Sequence, residues 1–218
     1  VDVNGVRRFD NLLKPDLVAP GNRLVAAAAT GTAAGPLAWN ALASTYYGTI
    51  VAPLGITPLF GETQMMMSGT SISAPTVAGA AALVLQANPG LTPPLVKAIL
   101  QYTAQPLADA NLLQQGAGLL NVDGAVQLAR ALRTDLAKKI ANGDVTTGAT
   151  INVTDLPSPA STVNGQTFNW SRVVYAGGTH ALSGPALFTK YQAIWDPRLT
   201  WARPKGDATG ATRHPQGT

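Results

Sequence analysis

Cysteine is absent from all 218 residues, which excludes disulfides, thiolate metal sites and a cysteine nucleophile together. Charge is scarce: Asp, Glu, Lys and Arg make up 12% of the chain, against an ordinary share of about 25%. With 46% hydrophobic residues, that scarcity excludes a highly charged disordered chain and a coiled coil. The net charge of +4 is spread evenly, +2 over residues 1–140 and +2 over residues 141–218. No run of Lys or Arg forms a stripe, so nucleic acid is not an expected partner. The longest charge-free apolar stretch of helical character, residues 72–85, is too short to cross about 30 Å of hydrocarbon, so no membrane span is expected. Val1 is neither an initiator Met nor followed by a basic-then-apolar leader, and the chain reads as a processed product or a fragment.

What the sequence does hold is turn-rich, with 22 Gly and 16 Pro. Leu17-Val18-Ala19 is a short apolar run closed by Pro20-Gly21, which suits a buried strand. Residues 31–64 look like loops with short strands, ending in Met65, Met66 and Met67. Those methionines suit a strand feeding the next element better than the wall of a substrate pocket. Between Ser71 and Ala87 the chain is small, apolar and uncharged on every side, which predicts a helix buried on every side. Asn88-Pro89-Gly90 stops it. Thr92 followed by Pro93 marks the start of a second helix running to about Tyr102, with Leu95, Val96, Ile99 and Leu100 as its apolar stripe. A third starts near Asn121, where Asn121 or Asp123 caps it.

Beyond residue 135 the pattern breaks into Gly, Thr, Pro and Ser, read as a linker over 136–160. Seven aromatic residues fall in residues 161–201 (Phe168, Trp170, Tyr175, Phe188, Tyr191, Trp195, Trp201), and they predict a small β-rich appendage with its own core. Residues 202–218 read as a flexible tail.

The chemistry concentrates in Gly69-Thr70-Ser71-Ile72-Ser73-Ala74-Pro75-Thr76-Val77-Ala78-Gly79. A serine stands where a glycine-containing turn enters an apolar helix. The first amides of a helix lack internal partners and carry the positive end of its dipole, so an oxygen turning negative beside them is stabilised. Gly69 permits close approach of a substrate to the backbone. Taken alone, Thr70-Ser71 is equally a pair of N-cap candidates.

This eleven-residue segment resembles the nucleophile motif of the subtilisin-like serine proteases, the subtilases (peptidase S8). The resemblance extends to Lys14-Pro15-Asp16-Leu17-Val18-Ala19-Pro20-Gly21 upstream, to Asn88-Pro89-Gly90-Leu91-Thr92 between helices, and to Gly116-Ala117-Gly118-Leu119-Leu120-Asn121 at the start of the last core helix. It covers about residues 9–133. It implies an α/β chain: over residues 1–135, the carboxy-terminal part of a parallel-sheet three-layer catalytic domain. It further implies a secreted serine endopeptidase acting on polypeptides, with Ser71 as nucleophile, the Ser71 N–H as oxyanion donor, and Gly69 and Thr70 at the substrate. Calcium is common in the family, but no acidic cluster here has the spacing of a calcium loop, and no cofactor is expected.

The family's Asp-Ser/Thr-Gly and His-Gly-Thr-His motifs, and its oxyanion Asn, do not precede Ser71. Gly177-Gly178-Thr179-His180 echoes the histidine motif, but in the wrong chain order and with Gly177 at the histidine's place. His214 reads as a solvated tail residue, Asp123 as helix-capping and Asp16 as a structural turn residue. Asn11, Asn22 and Asn40 lack an oxyanion context. The resemblance therefore implies a complementary N-terminal segment carrying Asp and His, and inactivity of this chain by itself. The alternative is a non-catalytic structural or assembly protein built on a subtilase remnant.

Overall fold

The computed structural model describes residues 2–3, 6–7, 13–28, 41–56, 63–176 and 180–192. In chain order the elements are β1 (Asp2–Val3), β2 (Val6–Arg7), β3 (Leu24–Ala28), α1 (Ala41–Thr45), α2 (Tyr47–Ile50), β4 (Thr63–Met67) and α3 (Thr70–Ala87). They continue with α4 (Pro93–Tyr102), α5 (Leu112–Gln115), α6 (Val122–Arg130), α7 (Leu136–Asn142), β5 (Ala160–Val163), β6 (Gln166–Asn169), β7 (Val173–Ala176) and β8 (His180–Ser183). The strands pair as four antiparallel two-stranded sheets, β1 with β2, β3 with β4, β5 with β6 and β7 with β8. Among the described residues the one parallel pairing is the isolated bridge between Val18 and Leu119. The run at Leu17-Val18-Ala19 is thus a single half-buried bridge, held by Val18 N–H to Gly118 O at 2.9 Å and Leu120 N–H to Val18 O at 2.8 Å.

By its contacts the chain divides into two units, residues 19–78 on one side and residues 1–18 with 79–218 on the other. In the larger unit, α4 follows the predicted stripe: Leu95, Val96, Ile99 and Leu100 are all buried. Thr92 takes the extended backbone of an N-cap, although its side chain makes no capping bond. In α6 Asn121 is the cap, its Oδ1 accepting from Gly124 N–H at 3.1 Å. The same side chain donates from Nδ2 to Thr103 O at 2.9 Å and to Ser161 Oγ at 3.0 Å. The Trp170 indole N–H also donates to Ser161 Oγ, at 3.0 Å. A Cβ on Gly124 would stand 2.8 Å from the Trp170 ring, so glycine is what lets the indole lie against the first turn of α6.

The aromatic segment packs onto α4. Tyr102 meets Phe188 edge-on at 4.8 Å between ring centroids and Trp170 at 6.3 Å. Such pairs contribute about 0.5–1.5 kcal/mol beyond the area they bury. Trp170, Tyr175, Phe188 and Tyr191 are all buried, which makes them core; Trp195 and Trp201 lie outside the described residues. Gln101, fully buried, accepts from Tyr175 N–H at 2.9 Å and donates to Asp16 Oδ1 at 3.2 Å. The segment read as a linker, 136–160, contains α7 and buries Leu136, Ile140, Val145 and Ile151. Its polar, Gly-rich composition conceals apolar residues spaced to reach the core one at a time. Residues 202–218 lie outside the described residues.

In the smaller unit β3 and β4 form a five-residue ladder, Leu24 opposite Met67 through Ala28 opposite Thr63. Helices α1 and α2 and a 3₁₀ turn at Ala52–Leu54 occupy part of the span read as loops and strands. Ala41, Leu42 and Ala43 are strong helix formers, and the surrounding Gly, Pro and Thr mask them. Ala28, Ala43 and Val51 form a small core with Ile50 and Met65 packed against it.

Helix α3 departs most from expectation. Only Ala80 and Val84, one turn apart, are buried, whereas Leu83 is 48% and Leu85 41% exposed. Apolar composition on all faces states a need for burial; the described chain covers one face of it. At 18 residues the helix is also longer than the run read from sequence, and it is long and apolar enough to span a membrane by length and composition alone. Core helices of soluble proteins share that length and composition, and the first turns here carry Thr70, Ser71, Ser73 and Thr76.

Candidate active site

Ser71 is the second residue of α3 and is exposed. Gly69 precedes the helix at φ +145°, a backbone region open to glycine. Its carbonyl accepts from Ile72 N–H at 3.0 Å and Ser73 N–H at 3.2 Å, closing the first turn. The amides of Thr70 and Ser71 sit too early in the helix to have an internal acceptor. They therefore present two N–H groups at the positive end of an 18-residue helix whose first turn carries no acidic side chain. Pro75, the sixth residue of α3, has no N–H to return to the Ser71 carbonyl. Ser71 is thus tied to the helix ladder neither through its amide nor through its carbonyl.

What holds the turn is the Pro20-Gly21-Asn22-Arg23 loop. Gly69 N–H donates to Gly21 O at 2.7 Å. Ser68 Oγ accepts from Arg23 N–H at 2.8 Å and donates to Asn22 Oδ1 at 3.0 Å. The Thr76 hydroxyl lies 3.4 Å from both Pro20 O and Ile72 O. A Cβ on Gly21 would stand 2.0 Å from Ser73 Oγ, so the loop and the helix approach as closely as backbone permits. Asn22, discounted from sequence for want of an oxyanion context, acts here as a tether for Ser68. Its place right after the Pro-Gly turn was the signal for that role.

The Subtilase family model matches residues 4–124, more than half of the chain. The chain belongs to the subtilase family. It is 39% identical over 94 residues to the subtilisin-like protease SBT2.3 of Arabidopsis thaliana, covering 43% of this chain and 9% of that protein. It is 32% identical over 113 residues to the serine protease AprX of Bacillus subtilis (strain 168), 52% of this chain and 22% of that one. Over 67 residues it is 42% identical to subtilisin BL of Lederbergia lenta, 31% of this chain and 24% of the relative. The chain thus spans less than a quarter of the length of each.

The other residues weighed from sequence fall as follows. Asp16 is engaged structurally: Lys14 and Lys97 pair with it, the latter at 3.1 Å, alongside Gln101. Burial pushes its carboxyl upward, but the hydrogen bond from Lys14 and the charge of Lys97 outweigh burial and hold it below the ordinary carboxylate range. Asp123 lies in the first turn of α6 and accepts from Gln127 at 2.7 Å. His180 is in β8, opposite Ala176. Gly177, His214, Asn11 and Asn40 lie outside the described residues. Among the described residues no group of three His, Cys, Asp or Glu side chains is arranged to hold an ion.

Proposed function

We propose that this chain supplies the nucleophile of a serine endopeptidase that cleaves peptide bonds through Ser71. The placement of Ser71 carries the reading: an exposed hydroxyl on the second residue of α3, beside two amides the helix leaves unused. Attack of Ser71 Oγ on a peptide carbonyl puts negative charge on the carbonyl oxygen. The Ser71 N–H and the α3 dipole stabilise that charge, while Gly69 and Thr70 lie where the substrate backbone passes. Removing the hydroxyl proton requires a histidine, oriented by an aspartate. In this reading both, with an oxyanion asparagine, come from polypeptide preceding the serine motif, as the resemblance to subtilases implies.

The reading therefore includes a complementary N-terminal segment, continuous or docked, that completes a parallel-sheet three-layer domain of which residues 1–135 are the carboxy-terminal part. The open apolar faces of α3 at Leu83 and Leu85 support it. It also includes secretion, a polypeptide substrate, residues 161–201 as a β-rich appendage, and inactivity of residues 1–218 by themselves. No step needs a cofactor. The test is hydrolysis of a casein substrate by the native protein and by its Ser71→Ala variant. A loss in kcat on the order of 10⁶ is expected; equal activity in the two would overturn the reading, and a non-catalytic assembly protein would show none in either.

A further inference from the structure

Helices α4 and α6 end in buried backbone, and the carbonyls there take donors from chain far downstream. The last four carbonyls of a helix have no partner within it, and a buried one without a donor is destabilising. At the end of α4, Tyr102, Thr103 and Ala104 are all buried. Tyr102 O accepts from Arg172 N–H at 2.9 Å, and Ala104 O from Ser171 N–H at 2.8 Å. Thr103 O accepts from the Asn121 side chain, whose Nδ2 also donates to Ser161 Oγ. At the end of α6, Ala131 O accepts from Val153 N–H at 2.8 Å.

The donors are held in place against strain. Arg172 stands at φ +59°, a left-handed backbone uncommon outside glycine, and such a residue persists where its surroundings over-determine it. Here its N–H is taken by Tyr102 O and its carbonyl accepts from Gly184 N–H at 3.2 Å. Further on, Ile151 N–H donates to Thr189 O at 3.1 Å while Ile151 O accepts from Arg133 N–H at 2.8 Å. The segment itself has little to stand on. Its strands form two separate two-stranded sheets, β5 with β6 and β7 with β8, and an isolated hairpin is at best marginally stable in water. Its aromatic residues find their partners elsewhere: Trp170 and Phe188 meet Tyr102, and Tyr175 packs with Ala104 and Ala117. Each side lacks what the other supplies.

We infer that residues 156–192 are a folding strap: they and the helices α4 and α6 form one cooperative unit, and neither part is folded without the other. The strap is joined to the rest through an accessible stretch, where Thr154, Asp155, Ser158 and Pro159 are exposed. The inference does not depend on Ser71 being the nucleophile.

The test inserts a recognition site for a sequence-specific protease between Asp155 and Leu156 of the native protein, cuts it, and passes the product through gel filtration. The fragment beginning at Leu156 is expected to elute with the rest. In urea, hydrogen exchange of peptides from α4 and from β5–β8 is then expected to give one midpoint for both. A fragment that separates and leaves α4 unprotected carries the same meaning. A fragment that separates while α4 keeps its protection overturns the strap, and so does loss of protection in β5–β8 at lower urea with α4 unchanged. Trp170→Ala in the uncut protein decides the matter if the cut form cannot be prepared. The α4 amides, none of them altered, are expected to exchange at least about tenfold faster; exchange within about twofold of the unaltered protein overturns the inference.

Discussion

The backbone N–H of Gly69 donates to the carbonyl of Gly21 at 2.7 Å, joining a turn 48 residues upstream to the residue that positions the first turn of α3. Ser71 is therefore placed by two segments remote in sequence, with the hydroxyl of Ser68 as a second fastener between Arg23 N–H and Asn22 Oδ1. Gly21 has no room for a side chain: its Cβ would lie 2.0 Å from Ser73 Oγ and 2.7 Å from Gly69 O.

Gly21→Ala is expected to push the turn away from α3. Overpacking of this kind costs about 1–3 kcal/mol, and the displacement falls on Gly69 and Ser71 directly. The rate of fluorophosphonate reaction at Ser71 drops by more than the loss of thermal stability accounts for. Unchanged labelling in the variant would show that the Gly21–Gly69 contact does not position the serine.

Asn88 is fully buried at the end of α3. Its Nδ2 donates to Ala129 O at 2.9 Å and Leu132 O at 3.1 Å, and its Oδ1 accepts from Gly90 N–H at 3.0 Å. Asn88→Ala removes these bonds; the Ala129 carbonyl keeps Leu132 N–H at 3.2 Å, but the Leu132 carbonyl and the Gly90 amide lose the bond the side chain makes to them, at about 1–3 kcal/mol for each group left unsatisfied. The urea midpoint of the native protein falls while its slope stays constant. Activity at temperatures where the variant is folded stays near that of the unaltered protein.

Asp16 gives stability a dependence on acid pH. Its carboxyl is held below the ordinary range by Lys14 and Lys97 against the opposing effect of burial. A carboxyl depressed in the folded state stabilises above its unfolded value, about 3.9, and that contribution disappears as pH falls through the folded value. Between pH 5 and about pH 2 the unaltered protein should lose more thermal stability than Asp16→Asn, with the two curves converging at the acid end. Parallel curves across this range would remove the Asp16 contribution.

How much of this could be read in advance depended on whether the signal was local. Thr92-Pro93 and Asn121 mark helix starts through cap chemistry confined to a few residues, and α4 and α6 begin where those signals put them. The Gly69-Thr70-Ser71 motif is equally local. Pairing of Leu24 with Met67 closes a span of more than forty residues, and no pattern in either strand names the other. Docking of Trp170 and Phe188 on Tyr102 depends on a glycine at position 124 and a serine at position 161, neither distinctive in sequence. For α3, composition gave the demand for burial, but which chain meets it is not written in the helix. Asn22 and helices α1 and α2 acquire their places only once the β3–β4 ladder is closed.

The most direct measurement is the site of reaction with a fluorophosphonate in the native protein, located by peptide mass. The account predicts a single adduct on Ser71, with a rate that rises as a histidine loses its proton near pH 6–7, about its ordinary range, and no adduct on residues 1–218 produced alone. Labelling that bypasses Ser71, or labelling of the lone chain at the same rate as the native protein, would contradict it.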